Sequence, residues 1–150
     1  MLKQEKRILL AEDSDDHMFL FKKVVNTLPL KTILHTVQDG VELCNYIRNP
    51  LNPLPDIIFL DINMPRKNGL ECLKEIRDCN AFNQIPVVVY TTSDEESDKK
   101  SAHENGANLY LIKDGDYRSL SRIILLLLSE NEEETSKVGA ADYHFQQHEV

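Results

Sequence analysis

At 150 residues, 41% hydrophobic and 28% charged, the chain is long enough to bury one core and too short for two domains. Its formal charge of −8 is uneven: positions 130–150 hold six acids and one Lys, leaving 19 acids against 16 bases before them, so the clustered cations of a nucleic-acid surface are missing. The apolar run Ile8 to Ala11 stops at Glu12, too soon for a signal peptide or a membrane anchor, and Cys44, Cys72 and Cys79 have no metal-ligand spacing, which suits reduced thiols in a cytoplasmic protein.

Residues 7–11 form an apolar run that ends in Glu12 and Asp13 and reads as a first strand. Ser14 with Asp15 and Asp16 offers a cap and first-turn carboxylates for a helix whose apolar positions are Phe19, Leu20, Val24 and Leu28, up to Pro29. Residues 32–37, more polar and carrying His35, suit an edge strand, and Val41, Leu43, Cys44 and Ile47 mark a second helix closing near Asn49 and Pro50. Residues 57–60 are a short apolar run fenced by Pro55 and Pro65, the pattern of a strand buried on both faces, and Asp61 ends it. Asn68 and Glu71 have capping-box spacing ahead of a third helix with Leu70, Cys72, Leu73 and Ile76 facing inward; Cys72 and Cys79 fall on one face of it.

Residues 86–90 are another buried strand, followed by the hydroxyls Thr91, Thr92 and Ser93. Ser93 and Glu96 repeat the capping-box spacing ahead of a polar fourth helix that closes at Asn105 and Gly106 in the manner of a left-handed cap. Residues 109–112 make a fifth strand ending in Lys113, and Tyr117, Leu120, Ile123, Ile124 and Leu127 a fifth helix. Six apolar residues in a row, Ile123 to Leu128, exceed what one stripe buries, so part of Leu125, Leu126 or Leu128 is expected at the surface. Residues 130–150 read as an acidic, mobile tail outside a domain of residues 1–129.

Five strands alternating with five helices predict a doubly wound α/β fold, with a parallel sheet between two helical layers. Strands one, three, four and five then end on one edge in Glu12 and Asp13, Asp61, Thr91 and Lys113. Taken singly, Glu12 and Asp13 could serve a helix dipole, Thr91 to Ser93 a cap, and Tyr110 an edge aromatic. Together they describe a pocket. Crowded carboxylates need a cation, for which Mg²⁺ suits an all-oxygen shell, and a lysine and a hydroxyl beside them would hold a tetrahedral oxyanion next to a carboxylate nucleophile. His17, His35 and His103 read as surface or packing residues.

Glu12-Asp13, Asp61 to Pro65 with Gly69, Thr91, and residues 107–113 with Tyr110 form an ordered set that resembles the receiver domain of two-component response regulators, over residues 7–128. The resemblance implies a flavodoxin-like sheet of order 2-1-3-4-5. It implies that Asp61 accepts a phosphoryl group from the phosphohistidine of a sensor histidine kinase, of the phytochrome type or another. Mg²⁺ would be held by Asp13, Asp61 and the main-chain carbonyl of Asn63, with Glu12 acting directly or through water. Lys113 would pair with the phosphoryl oxygens and Thr91 would bond one of them. Thr91 and Tyr110 would be the switch pair, the ring turning inward behind the hydroxyl, and Asn63 and Ser93 would flank the water that ends the phosphorylated state in autodephosphorylation.

With no output domain expected after the fifth helix, the signal would leave through a downstream protein target or a homodimer formed through that helix. A haloacid-dehalogenase-like phosphatase would carry a second Asp where Asn63 stands, and a nucleotide binder would carry a Gly-rich phosphate loop that is missing here. The remaining alternative is a receiver-like module that binds protein without phosphorylation. The chain departs from the family after Lys113, where Asp114 replaces the usual proline. A trans bond is expected there, with Gly115 turning the loop at positive φ and with Asp114 and Asp116 competing for Lys113.

Overall fold

The computed structural model describes residues 5–129; the acidic tail lies outside the described residues. Five strands, β1 (Lys6–Ala11), β2 (Thr32–Val37), β3 (Ile57–Leu60), β4 (Val87–Thr91) and β5 (Leu109–Ile112), alternate with five helices, α1 (Asp15–Asn26), α2 (Gly40–Arg48), α3 (Gly69–Asp78), α4 (Glu96–Glu104) and α5 (Tyr117–Leu128). All pairings are parallel and the strand order is β2-β1-β3-β4-β5, as expected for the doubly wound class.

Strand alternation sorts the core into two layers. Leu9, Ala11, Ile58, Leu60, Val87 and Val89 face α2, α3 and α4, while Ile8, Leu10, Ile57, Phe59, Val88 and Tyr90 face α1 and α5. Strand β3, β1 from Ile8 on and β4 up to Tyr90 read as apolar runs because each is covered on both sides there. Strand β2 is only partly buried, which explains its polar sequence.

Several local expectations shift. The buried stripe of α1 is Met18, Phe21, Val24 and Val25, while Phe19 is 59% exposed. Ser93 and Glu96 do not form a capping box: the N-cap of α4 is Glu95, without a side-chain bond. Strand β4 extends through Thr91, which pairs with Ile112, so Ser93 falls two residues short of the cap and bonds Asp98 instead, at 2.5 Å. Asn68 and Glu71 do form the predicted capping box. In α5, Leu125 and Leu126 are half-exposed while Leu128 is buried.

Candidate functional site

Hydrogen bonding continues one residue past the strand ends on the C-terminal edge. Glu12 N–H donates to the Val37 carbonyl at 3.0 Å, Asp61 N–H to that of Ala11 at 3.1 Å, and Lys113 N–H to that of Thr91 at 2.8 Å. The backbone therefore fixes where these three side chains begin, and they converge over the edge at the switch point between β1 and β3.

Lys113 Nζ is the hub. It donates to Glu12 Oε1 at 2.5 Å and to Asp61 Oδ2 at 2.9 Å. A third contact, 3.1 Å to His17 Nδ1, saturates the three N–H bonds of the ammonium when that nitrogen carries its lone pair. The side chains of Lys113, Glu12 and Asp61 are 7%, 2% and 8% exposed, so these contacts act in a medium less polar than water. Burial pushes the Glu12 carboxyl above its ordinary range, against the opposing pull of Lys113. The ammonium also lies 5.6 Å from the centroid of the Tyr90 ring.

The carboxylates are held from the other side by backbone donors. Asn63 N–H bonds Asp61 Oδ1 at 3.0 Å and Ser14 N–H bonds Glu12 Oε2 at 3.1 Å. Gly69 brings the start of α3 against Asp61: a Cβ there would overlap the Asp61 carbonyl oxygen and lie 2.8 Å from Ile62 Cα. Ligand atoms of Glu12, Asp13 and Asp61 all lie within 4.8 Å of one another, with Asp13 exposed and the other two buried. Three carboxylates facing one ammonium leave an excess of negative charge on hard oxygen donors, which fits a divalent cation of the Mg²⁺ or Mn²⁺ kind.

Thr91 is fully buried, and its hydroxyl accepts from Ser93 N–H at 3.4 Å. The Thr91 hydroxyl makes no hydrogen bond to the side chain of Asp61 or of Lys113 among the described residues. The Tyr110 ring is fully buried in the core layer that faces α4, and its hydroxyl donates to the Ser93 carbonyl at 3.0 Å. Ser93 Oγ is engaged with Asp98 and with Glu95 N–H. No peptide bond of the described residues is cis, and Gly115 sits at φ +86°. The expected competition for Lys113 is not observed: Asp114 accepts from Asp116 N–H at 2.9 Å and Asp116 from Ser119 N–H at 3.1 Å, so each acid serves a local backbone donor.

His17, expected to be a surface or packing residue, belongs to the site. Its N–H bonds the Ser14 cap at 3.2 Å, which places it one turn into α1 on the side of the strand ends. That position three after the cap is the signal in the sequence that would have found it. His17, Tyr90, Thr92, Lys113 and Tyr117 line a cleft of about 200 Å³.

The response regulator receiver domain family matches residues 8–125. The chain is 34% identical over 123 residues to response regulator Rcp1 of Synechocystis sp., covering 79% of this chain and 84% of that protein. The solved Mn²⁺-bound form of Rcp1 superposes with a TM-score of 0.72. The phosphorylated cyanobacterial phytochrome response regulator RcpA gives 0.75 at 28% identity, over 93% of this chain and 96% of that one. The bacteriophytochrome response regulator RtBRR gives 0.71 at 31%, over 84% and 80%.

Proposed function

Because this chain belongs to the receiver domain family of response regulators, whose members work with histidine kinases, we propose that it is a phosphoacceptor whose Asp61 is the site of phosphorylation. The observation that carries the reading is the contact of Lys113 Nζ with both Asp61 Oδ2 and Glu12 Oε1 at the strand ends. An Asp61 oxygen attacks the phosphorus of a phosphohistidine as the bond from phosphorus to the imidazole nitrogen breaks. The work left to the protein is positioning and charge neutralisation. Lys113 meets charge on the phosphoryl oxygens, the Asn63 N–H steadies the attacking carboxylate, and Thr91 offers its hydroxyl to a phosphoryl oxygen.

Glu12 (directly or through water), Asp13, Asp61 and the Asn63 carbonyl would hold Mg²⁺, which when bound offsets the repulsion between the carboxylates and the incoming phosphoryl group. Asn63 and Ser93 flank the water that later attacks the acyl phosphate. Thr91 and Tyr110 form the switch, with the Tyr110 hydroxyl tying the inward ring to the loop before α4. The chain acts in the cytoplasm, with a sensor kinase of the phytochrome type as the partner suggested by the names of RcpA and RtBRR. A downstream protein target or a second copy docks on α5, where Leu125 and Leu126 are half-exposed; oligomeric state with and without phosphorylation tests the second-copy form.

The direct experiment is labelling by a histidine kinase or a small-molecule phosphodonor. Base-labile label that needs a divalent cation and disappears in Asp61→Asn supports the reading. Label that persists in Asp61→Asn or survives chelation overturns it, and a chain that no donor labels is the protein-binding module without phosphorylation.

A further inference from the structure

Away from the phosphoacceptor pocket, the two helices on the α2 and α3 side bring two thiols together. Cys44 on α2 and Cys72 on α3 are 1% and 0% exposed, and their sulfurs are 3.6 Å apart across 28 positions. Cys72 Sγ also bonds the Gly40 carbonyl at 3.3 Å, at the first turn of α2. Lys67 and Glu75 lie close enough to Cys44 to act on its ionisation, and Glu75 is itself paired with Lys67 and Arg48. All three cysteines are free thiols.

We propose that Cys44 and Cys72 are an oxidisable dithiol that closes to an intramolecular disulfide, stapling α2 to α3, when hydrogen peroxide reaches it. Burial makes most cysteines inert. Two features set this pair apart. Peroxide is scarcely larger than water, so small local openings of the outer helices admit it. The sulfurs are also already in contact, so the second step needs no diffusion.

The Cys44 sulfur, as thiolate, attacks one peroxide oxygen; the O–O bond breaks, and the sulfenic acid and one water result once the thiol proton has reached the leaving hydroxide. The Cys72 sulfur then attacks the Cys44 sulfur, the S–O bond breaks, and the departing hydroxide takes the Cys72 proton as a second water. Two electrons pass from the thiols to the peroxide. The order follows from the surroundings. Cys72 keeps its proton on the Gly40 carbonyl and accepts from Cys44; the bond with Cys72 lowers the Cys44 thiol against burial, whereas the bond with Cys44 and burial both raise Cys72. Cys79, half-buried at the C-cap of α3, is the internal control.

The test treats the reduced full chain with hydrogen peroxide under native conditions, blocks remaining thiols after unfolding, and maps the peptides. The expected product is a monomer lighter by two hydrogens, with Cys44 linked to Cys72, two of the three thiols lost, and full recovery on reduction. Its melting temperature should exceed that of the reduced chain, and the rise should vanish in Cys44→Ala and Cys72→Ala. If Cys79 oxidises while Cys44 and Cys72 stay alkylatable, or if the two form separate sulfinic acids without a link, the proposal fails. Should a variant not fold, the mapping of the unaltered chain decides alone. None of these readouts depends on phosphorylation of Asp61, so the two readings stand or fall separately.

Discussion

Lys113 Nζ lies 2.9 Å from Asp61 Oδ2, across 52 positions of sequence, although an acid follows the lysine. The loop turns on Gly115 at φ +86°, and Asp114 is spent on the Asp116 N–H, so the ammonium is left to the pocket. Lys113→Ala should lower the phosphorylation rate by about 10²-fold, the scale for losing one preorganised charge-stabilising group, and an equal rate in the variant would remove the lysine from the chemistry. The variant also leaves the buried Glu12 carboxylate without its cation, so its stability should be measured alongside.

His17 should act as a positioning residue for that lysine. A hydrogen bond to a charged group has a net worth of about 1.5–3 kcal/mol, so His17→Ala is expected to slow phosphorylation by a small-molecule phosphodonor roughly tenfold or more. His17→Asn, which keeps an acceptor near the same place, should recover much of the rate. Equal losses in both variants would mean that the ring merely fills space.

Gly69 is small because α3 starts against the backbone of Asp61. Gly69→Ala forces a methyl group into the Asp61 carbonyl and should cost about 1–3 kcal/mol of stability by overpacking, with phosphorylation impaired beyond that. Denaturant unfolding measures the first effect; unchanged stability would contradict the close approach.

Gly115→Ala tests the turn that stands in for the family proline. No atom lies within 4 Å of an added Cβ, but the positive φ is strained for any L side chain, at a cost of roughly 1 kcal/mol. Loss of phosphorylation with little loss of stability is expected, because the loop can relax by turning Lys113 away from Asp61.

Tyr110 supplies the pH test. Burial pushes its hydroxyl up to about 12, against an ordinary value of 10.0. A folded-state value above the unfolded one means that the contribution to stability is complete below about 10 and is lost as pH rises through about 12. Stability should therefore fall less steeply above pH 10 in Tyr110→Phe than in the parent. Parallel curves would place the ring in water.

The order of strands and helices was legible in the sequence because each element is written locally. Residues 32–37, 57–60 and 109–112 carry the apolar character of an edge strand, a doubly covered strand and a final strand, and their bounds coincide with β2, β3 and β5. Glu12, Asp13, Asp61, Thr91 and Lys113 were legible as a set for the same reason, since a parallel sheet sends every strand end to one edge.

The sequence by itself determined the fold class, the edge that carries the pocket and the acids and cation that form it, because hydrophobic period and strand ends are properties of short segments. Tertiary structure alone decided how the side chains pair. Lys113 takes Glu12, Asp61 and His17 rather than Asp114, Ser93 takes Asp98 rather than a cap, and Cys72 meets Cys44 from the neighbouring helix. Each choice depends on distances between elements far apart in the chain, set by the packing of two helical layers on a twisted sheet, and no local pattern encodes those distances.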